Sequence, residues 1–133
     1  MSVPSTTSGQ TIVVVDDDDS VRTALERLFR LAGWTVRTFT SAEELLDPDV
    51  DLAIGCLVAD VHLGRMSGLE LKAALDHRPA RVPVILTSGV ADATLELEAR
   101  KVGAIAFFRK PFDVSELLDL VQASVERRIG PIR

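Results

Sequence analysis

The chain contains 133 residues, a length that fits one domain of ordinary size with little left over for a second. Its composition, 47% hydrophobic and 26% charged, is typical of a globular protein and excludes a disordered or fibrous chain. The formal net charge of −5 gives no basic field to attract phosphate backbones or anionic lipid, so we expect no DNA binding and no membrane binding by this chain.

Cysteine content and the N-terminus indicate the compartment. The single cysteine, Cys56, excludes an internal disulfide and favours the reducing cytoplasm. Residues 1–10 are small and polar, without the basic start and apolar stretch of a signal peptide, and we expect them to form a flexible lead-in. No apolar run approaches the roughly 18–20 residues that span a bilayer. The sequence therefore predicts a soluble, cytoplasmic protein.

From residue 11 onward the chain alternates between two hydrophobic periods. Short β-branched or apolar runs predict five strands, at 12–15, 35–39, 55–59, 84–87 and 104–108. Apolar residues at helical spacing follow each run, and five residues are predicted helix N-caps: Ser20, Ser41, Ser67, Asp92 and Asp113. Strands separated by helices of this length predict a doubly wound α/β fold, with a parallel sheet covered by helices on both faces. The last residues, 128–133, are predicted to be a tail or the stub of a linker.

Polar side chains stand at the carboxyl ends of four of these strands. Asp16 and Asp17 follow the first strand and Asp60 the third, while Thr87 ends the fourth and Lys110 follows the fifth. Open parallel sheets bind ligands beyond this edge, so we expect the carboxylates, the hydroxyl and the ammonium group to meet there.

This set of groups suits a magnesium-assisted phosphoryl transfer. Crowded carboxylates repel one another unless a cation lies among them, and oxygen ligands without paired histidines or thiols favour Mg²⁺ over zinc. A carboxylate beside a metal and a lysine can attack phosphorus in line. Asp60 stands alone at its strand end and is the predicted nucleophile, whereas Asp16 and Asp17 are better suited to hold the metal. Thr87 can donate a hydrogen bond to the phosphoryl group.

The order and spacing of these four motifs resemble the response-regulator receiver domain of two-component signalling, and most of all its FixJ branch. The likeness covers about residues 11–127, and the segments Val-Asp-Asp-Asp-Asp-Ser-Val at 15–21 and Lys-Pro-Phe-Asp at 110–113 are the most FixJ-like. The resemblance implies a flavodoxin-like sheet of five parallel strands in the order 2-1-3-4-5.

The resemblance also assigns roles to individual residues. Asp60 becomes the phosphoacceptor for a sensor histidine kinase or phosphotransfer protein, Thr87 the switch hydroxyl and Lys110 the partner of the phosphate. The Mg²⁺ ligands become the carboxylates of Asp16, Asp17 and Asp60 with the backbone carbonyl of His62. Such a chain is a signalling phosphoprotein rather than an enzyme, although it assists its own phosphorylation and dephosphorylation.

The resemblance also implies that phosphorylation changes the surface through which the chain binds its partners. Phe107 lies where the family has an aromatic residue that turns inward on activation, and the Lys110–Pro111 bond is a candidate cis peptide. Phosphorylation would alter the surface around the fourth helix, fifth strand and fifth helix, which would then bind an output domain, another protein or a second copy of the chain. The sequence does not decide between a stand-alone receiver and the N-terminal half of a transcription regulator.

Two departures from the family pattern leave alternatives open. Gly64 stands where the family usually has proline, so we expect a more mobile loop and a shorter-lived phosphate. Ser88 stands where the family usually has the smaller alanine or glycine, so we expect an altered phosphorylation geometry. The first alternative is a degenerate receiver that binds partners without phosphorylation. The second is a haloacid-dehalogenase-type phosphatase acting through the segment 16–18, Thr87 and Lys110, which would leave Asp60 unexplained.

Overall fold

The computed structural model describes residues 10–126, which form a single five-stranded sheet with five helices. The elements in chain order are β1 (Thr11–Val15), α1 (Asp19–Leu31), β2 (Val36–Phe39), α2 (Ala42–Leu45), β3 (Ile54–Asp60), α3 (Gly68–Leu75), β4 (Val84–Ser88), α4 (Ala93–Lys101), β5 (Ala106–Arg109) and α5 (Val114–Val125). All neighbouring strands are parallel, in the order β2-β1-β3-β4-β5. The predicted fold class and strand order are confirmed.

Alternation along the central strands divides the core into two layers. Val13 and Val15 of β1 belong to a cluster with buried residues of α2, α3 and α4, whereas Ile12 and Val14 belong to a cluster with buried residues of α1 and α5. Both faces of the sheet are therefore covered, which explains why every residue of β1 is apolar or β-branched and buried. Cys56 lies in the second layer, where burial raises the pKa of its thiol to about 12.

The helix starts follow the predicted capping residues with one exception. Ser41, Ser67, Asp92 and Asp113 are N-caps, and Ser67 forms a complete capping box with Glu70. The prediction of Ser20 as the cap of α1 is wrong. Asp18 holds that position, because its carboxylate accepts hydrogen bonds from the backbone N–H groups of Ser20 at 2.9 Å and Val21 at 3.3 Å.

Two of the predicted segments lie wholly or almost wholly outside the described residues. The lead-in, apart from Gln10, and the tail at 128–133 lie outside the described residues. Within residues 10–126, no helix has the length and apolar character that a membrane span requires.

Candidate functional site

The carboxyl edge of the sheet brings Asp16, Asp60 and Lys110 into direct contact. The Nζ atom of Lys110 lies 2.9 Å from Oδ2 of Asp16 and also donates a hydrogen bond to Oδ2 of Asp60. Asp16 and Asp60 are 2% and 7% exposed, so both carboxylates are almost fully removed from bulk water. Three residues from three separate strand ends thus form one buried, charged cluster, as predicted for these positions.

Local backbone hydrogen bonds aim the two carboxylates at the lysine. Oδ1 of Asp16 accepts from the backbone N–H of Asp18 at 2.9 Å, and Oδ1 of Asp60 accepts from that of His62 at 2.8 Å. Each aspartate therefore forms an Asx-turn, in which the short side chain accepts from the backbone N–H two residues further along the chain. With one oxygen held by its own loop, each carboxylate presents the other oxygen to Lys110.

Burial and charge act in opposite directions on the groups of this cluster. Burial raises the pKa of Asp16 above its usual value, and the hydrogen bonds from Asp18 and Lys110 lower it without cancelling the effect. Burial lowers the pKa of Lys110, but its hydrogen bonds to Asp60 and Asp16 raise it by more, so that it stays above its usual value. Lys110 is thus held as a cation between two acids.

Thr87 forms the adjoining part of the site. It is buried and pairs in register with Asp60 across the β3–β4 ladder. Its carbonyl accepts from the N–H of Val61 at 2.8 Å, which fixes the strand ends relative to each other. The neighbouring Ser88 is buried as well, and its hydroxyl accepts from the N–H of Val90 at 3.0 Å.

The two remaining resemblance-based positions lie near this cluster. Phe107 is half-buried on β5, where it pairs in register with Leu86 and packs against the core layer that contains α3 and α4. The Lys110–Pro111 peptide bond is cis, as the resemblance implied.

The predicted metal ligands are only partly assembled. Asp17 is exposed beside the buried Asp16, and no group of three histidine, cysteine, aspartate or glutamate side chains within residues 10–126 is arranged to hold a metal ion. The carboxylates of Asp16 and Asp60, which both contact Lys110, nevertheless fit Mg²⁺. This ion takes oxygen ligands, uses one or two carboxylates and keeps several waters. The role of the His62 carbonyl stays a prediction.

Gly64 shows why the loop after Asp60 departs from the family pattern. Its φ is +88°, in the left-handed region that glycine adopts readily. Proline, whose ring fixes φ near −65°, cannot take this conformation. The glycine therefore gives this loop a backbone path that proline at the same position would not allow.

Two residues that support the site were missed in the sequence. Arg22 donates from Nη1 to the carbonyl of Asp16 at 2.7 Å and pairs with Asp19, so it ties α1 to the acidic loop. Gly68 starts α3 directly against β3, where an added Cβ would lie 2.4 Å from the carbonyl oxygen of Asp60. The three-residue spacing from Asp19 to Arg22 predicts their ion pair but not the hydrogen bond from Arg22 to Asp16. The close approach of Gly68 to Asp60 depends on tertiary packing.

Comparison with known proteins agrees with this geometry. Residues 12–122 match the response regulator receiver domain family. The transcriptional regulatory protein FixJ of Azorhizobium caulinodans is 44% identical over 114 residues, which cover 86% of this chain and 54% of FixJ. The chain spans about half the length of the curated relatives it matches.

Solved structures are similar over the whole described fold. The crystal structure of FixJ-N has a TM-score of 0.77 at 32% identity, covering 89% of this chain and 94% of FixJ-N. A response regulator from Burkholderia pseudomallei, with a phosphorylated aspartic acid, a calcium ion and citrate, has a TM-score of 0.75 at 27% identity, covering 88% of this chain and 69% of that one. The chain belongs to the response regulator receiver domain family and is a receiver domain of two-component signalling.

Proposed function

We propose that Asp60 accepts a phosphoryl group from a sensor histidine kinase or phosphotransfer protein in a Mg²⁺-dependent reaction. The observation that carries this proposal is the contact of Lys110 with both Asp60 and Asp16 at the carboxyl edge of the sheet. One carboxylate oxygen of Asp60 forms the new P–O bond while the P–N bond of the donor phosphohistidine breaks and the histidine leaves. The solved Burkholderia pseudomallei relative, which carries a phosphorylated aspartic acid, supports the assignment.

The surrounding residues offset the charge of the transferred group. The ammonium group of Lys110 is already directed at Asp60 and would pair with a phosphoryl oxygen. Asp16, Asp17 and Asp60 would hold the cation, with the His62 carbonyl as a further ligand by family resemblance. Bound Mg²⁺ supplies neutralisation of charge on the phosphoryl oxygens. The same groups would also assist later hydrolysis.

Phosphorylation is proposed to act on the surface formed by α4, β5 and α5. Thr87 pairs in register with Asp60 on one side and with Phe108 on the other, so a movement at its hydroxyl can be passed to β5. Phe107 lies beside Phe108 on β5 and is half-buried, so its exposure can change in either direction. The altered surface would bind an output domain, a separate protein or a second copy of the chain.

Two observations keep the degenerate receiver as a second candidate. The left-handed Gly64 changes the loop after Asp60, and Ser88 places a buried hydroxyl beside Thr87. Both features could hinder phosphorylation without affecting partner binding. The family assignment decides against the phosphatase alternative, which has no role for Asp60.

The test is phosphorylation of the 133-residue chain with Mg²⁺ and acetyl phosphate, followed by intact-mass analysis and mapping of the modified residue. We expect one phosphoryl group on Asp60, none on D60N, and a rate roughly 10²-fold lower for K110M, because the cation opposite the transferred group is lost. The matched control is D49N, which removes an exposed carboxylate outside the site and should behave as wild type.

Two results would contradict the proposal. A correctly folded wild-type chain that takes up no phosphate from acetyl phosphate or from a phosphorylated kinase would select the degenerate receiver. Label on Asp16 that persists in D60N would instead identify a different nucleophile.

A further inference from the structure

A cavity with several charged side chains in its lining lies at the opposite end of the sheet from Asp60. It has a volume of about 510 Å³ and is located where α3 and α4 end and the chain enters β4 and β5. Four cationic side chains line it, those of Lys72, Arg78, Arg81 and Lys101, against a single carboxylate, that of Asp76. This is a local positive excess on a chain whose formal net charge is −5.

The positive charge is not cancelled within the cavity. Lys72 is 8% exposed, and its Nζ lies 2.6 Å from Oδ1 of Asp76, so these two residues neutralise each other. Arg78, Arg81 and Lys101 are exposed and take part in no ion pair with the part of the chain that the structure describes. The C-terminal ends of α3 and α4 contribute about half a negative charge each. An excess of about two positive charges therefore remains.

The lining of the cavity also contains apolar side chains and a restrained backbone segment. Val82 and Ile105 contribute apolar surface, and Pro79 and Pro83 limit the conformations of the segment that enters β4. At Gly103, where φ is +84°, an added Cβ would lie 3.6 Å from Nζ of Lys72, so the glycine leaves this wall open. Its volume falls within the roughly 300–1,000 Å³ of small-molecule sites.

We infer that this cavity binds a small phosphate-bearing anion, such as a nucleoside diphosphate or another organophosphate. A guanidinium group can bind phosphate through two parallel N–H···O hydrogen bonds. The apolar side chains in the same lining can contact an organic group attached to the phosphate. The inference does not depend on phosphorylation of Asp60. The five residues of β4, about 17 Å of extended chain, separate the cavity from the acidic edge.

The experiment is an NMR titration of the 133-residue chain with adenosine diphosphate and, separately, with inorganic pyrophosphate, both without Mg²⁺. We expect saturable shifts at the backbone amides of Val82 and Gly103, and an apparent affinity that falls as salt is added. The double variant R78Q/R81Q should bind at least about tenfold more weakly, because two charge-assisted contacts are lost. The matched double variant R27Q/R65Q removes two exposed arginines elsewhere and should leave the affinity unchanged.

The outcomes separate the possible sources of binding. Equal affinity for both probes would support a site for the phosphate groups alone, and tighter binding of adenosine diphosphate would support an organophosphate site. The inference is overturned if neither probe binds, if the shifts occur only around Asp60 and Thr87, or if R27Q/R65Q loses as much affinity as R78Q/R81Q. Binding of an acidic peptide in place of both probes would also overturn it.

Discussion

Asp16 is the residue at which stability and the proposed function are most clearly opposed. Its carboxyl is 2% exposed, burial raises its pKa, and the contact with Lys110 offsets only part of this effect. The ionised form that a cation would bind is therefore the form that the fold disfavours when no cation is bound. Burying the ionised carboxylate of Asp16 therefore lowers the free energy of unfolding of the metal-free protein.

The pH dependence of stability should show this cost directly. Because the pKa of Asp16 is higher in the folded protein than its ordinary value of 3.8, the stabilising contribution is complete below that value and is lost as the pH rises through the folded pKa. The variant D16N lacks this titration. We therefore expect the free energy of unfolding of D16N, relative to wild type, to increase as the pH rises above about 4.

Urea denaturation in the presence of a chelator measures this difference. Lys110 stays protonated over the whole range, since its pKa lies above 10.5, and so does not contribute to the change. D49N, which alters an exposed carboxylate, should keep a constant difference from wild type. A difference for D16N that is flat or shrinks with rising pH would contradict the prediction.

At the scale of elements, the contact between α3 and β3 positions Asp60, the proposed phosphoacceptor. Gly68 begins α3, and its backbone N–H donates to the carbonyl of Val61 at 2.9 Å. An added Cβ would lie 2.4 Å from the carbonyl oxygen of Asp60, a distance that requires the backbone to move. We expect G68A to lower the free energy of unfolding by about 1–3 kcal/mol, the usual cost of overpacking.

Denaturant unfolding of G68A and G89A tests this packing argument. Gly89 follows β4 near the same edge, but the nearest atom to its added Cβ is Cδ of Lys110 at 4.0 Å. G89A should therefore change the free energy of unfolding by no more than about 0.5 kcal/mol. If G68A lost no more stability than G89A, the close approach to Asp60 would not be the cause of the destabilisation.

Element boundaries also show what the sequence could predict. The strand ends that carry Asp16, Asp60 and Lys110 follow from apolar runs ending in a charged residue, and parallel topology then places those ends together. The start of α1 was misplaced because Asp18 and Ser20 are both good caps, and the choice depends on backbone conformation. The exposure of Asp17 depends in the same way on three-dimensional packing.

At the scale of the whole molecule, the sheet separates two opposite charge environments. Two buried carboxylates share one lysine at the carboxyl edge, whereas cationic side chains outnumber the single carboxylate in the cavity beyond the other edge. Successive strands of a parallel sheet all point the same way, so residues before and after the strands collect at different ends. Binding events at the two ends can therefore be measured independently of each other.

Metal binding should stabilise the entire fold through the acidic edge. A ligand that binds only the folded state adds RT ln(1 + [L]/Kd) to the free energy of unfolding, or about 1.4 kcal/mol for Mg²⁺ at ten times its Kd. We expect this increase in thermal or urea unfolding of wild type and D49N, and only a small fraction of it in D16N and D60N, which lack one of the two buried carboxylates. Because a chain of net charge −5 also gains stability from screening, each sample is compared with NaCl at equal ionic strength. If Mg²⁺ stabilised D16N as much as wild type, the cation would be acting elsewhere on the acidic surface, and Asp16 would not be one of its ligands.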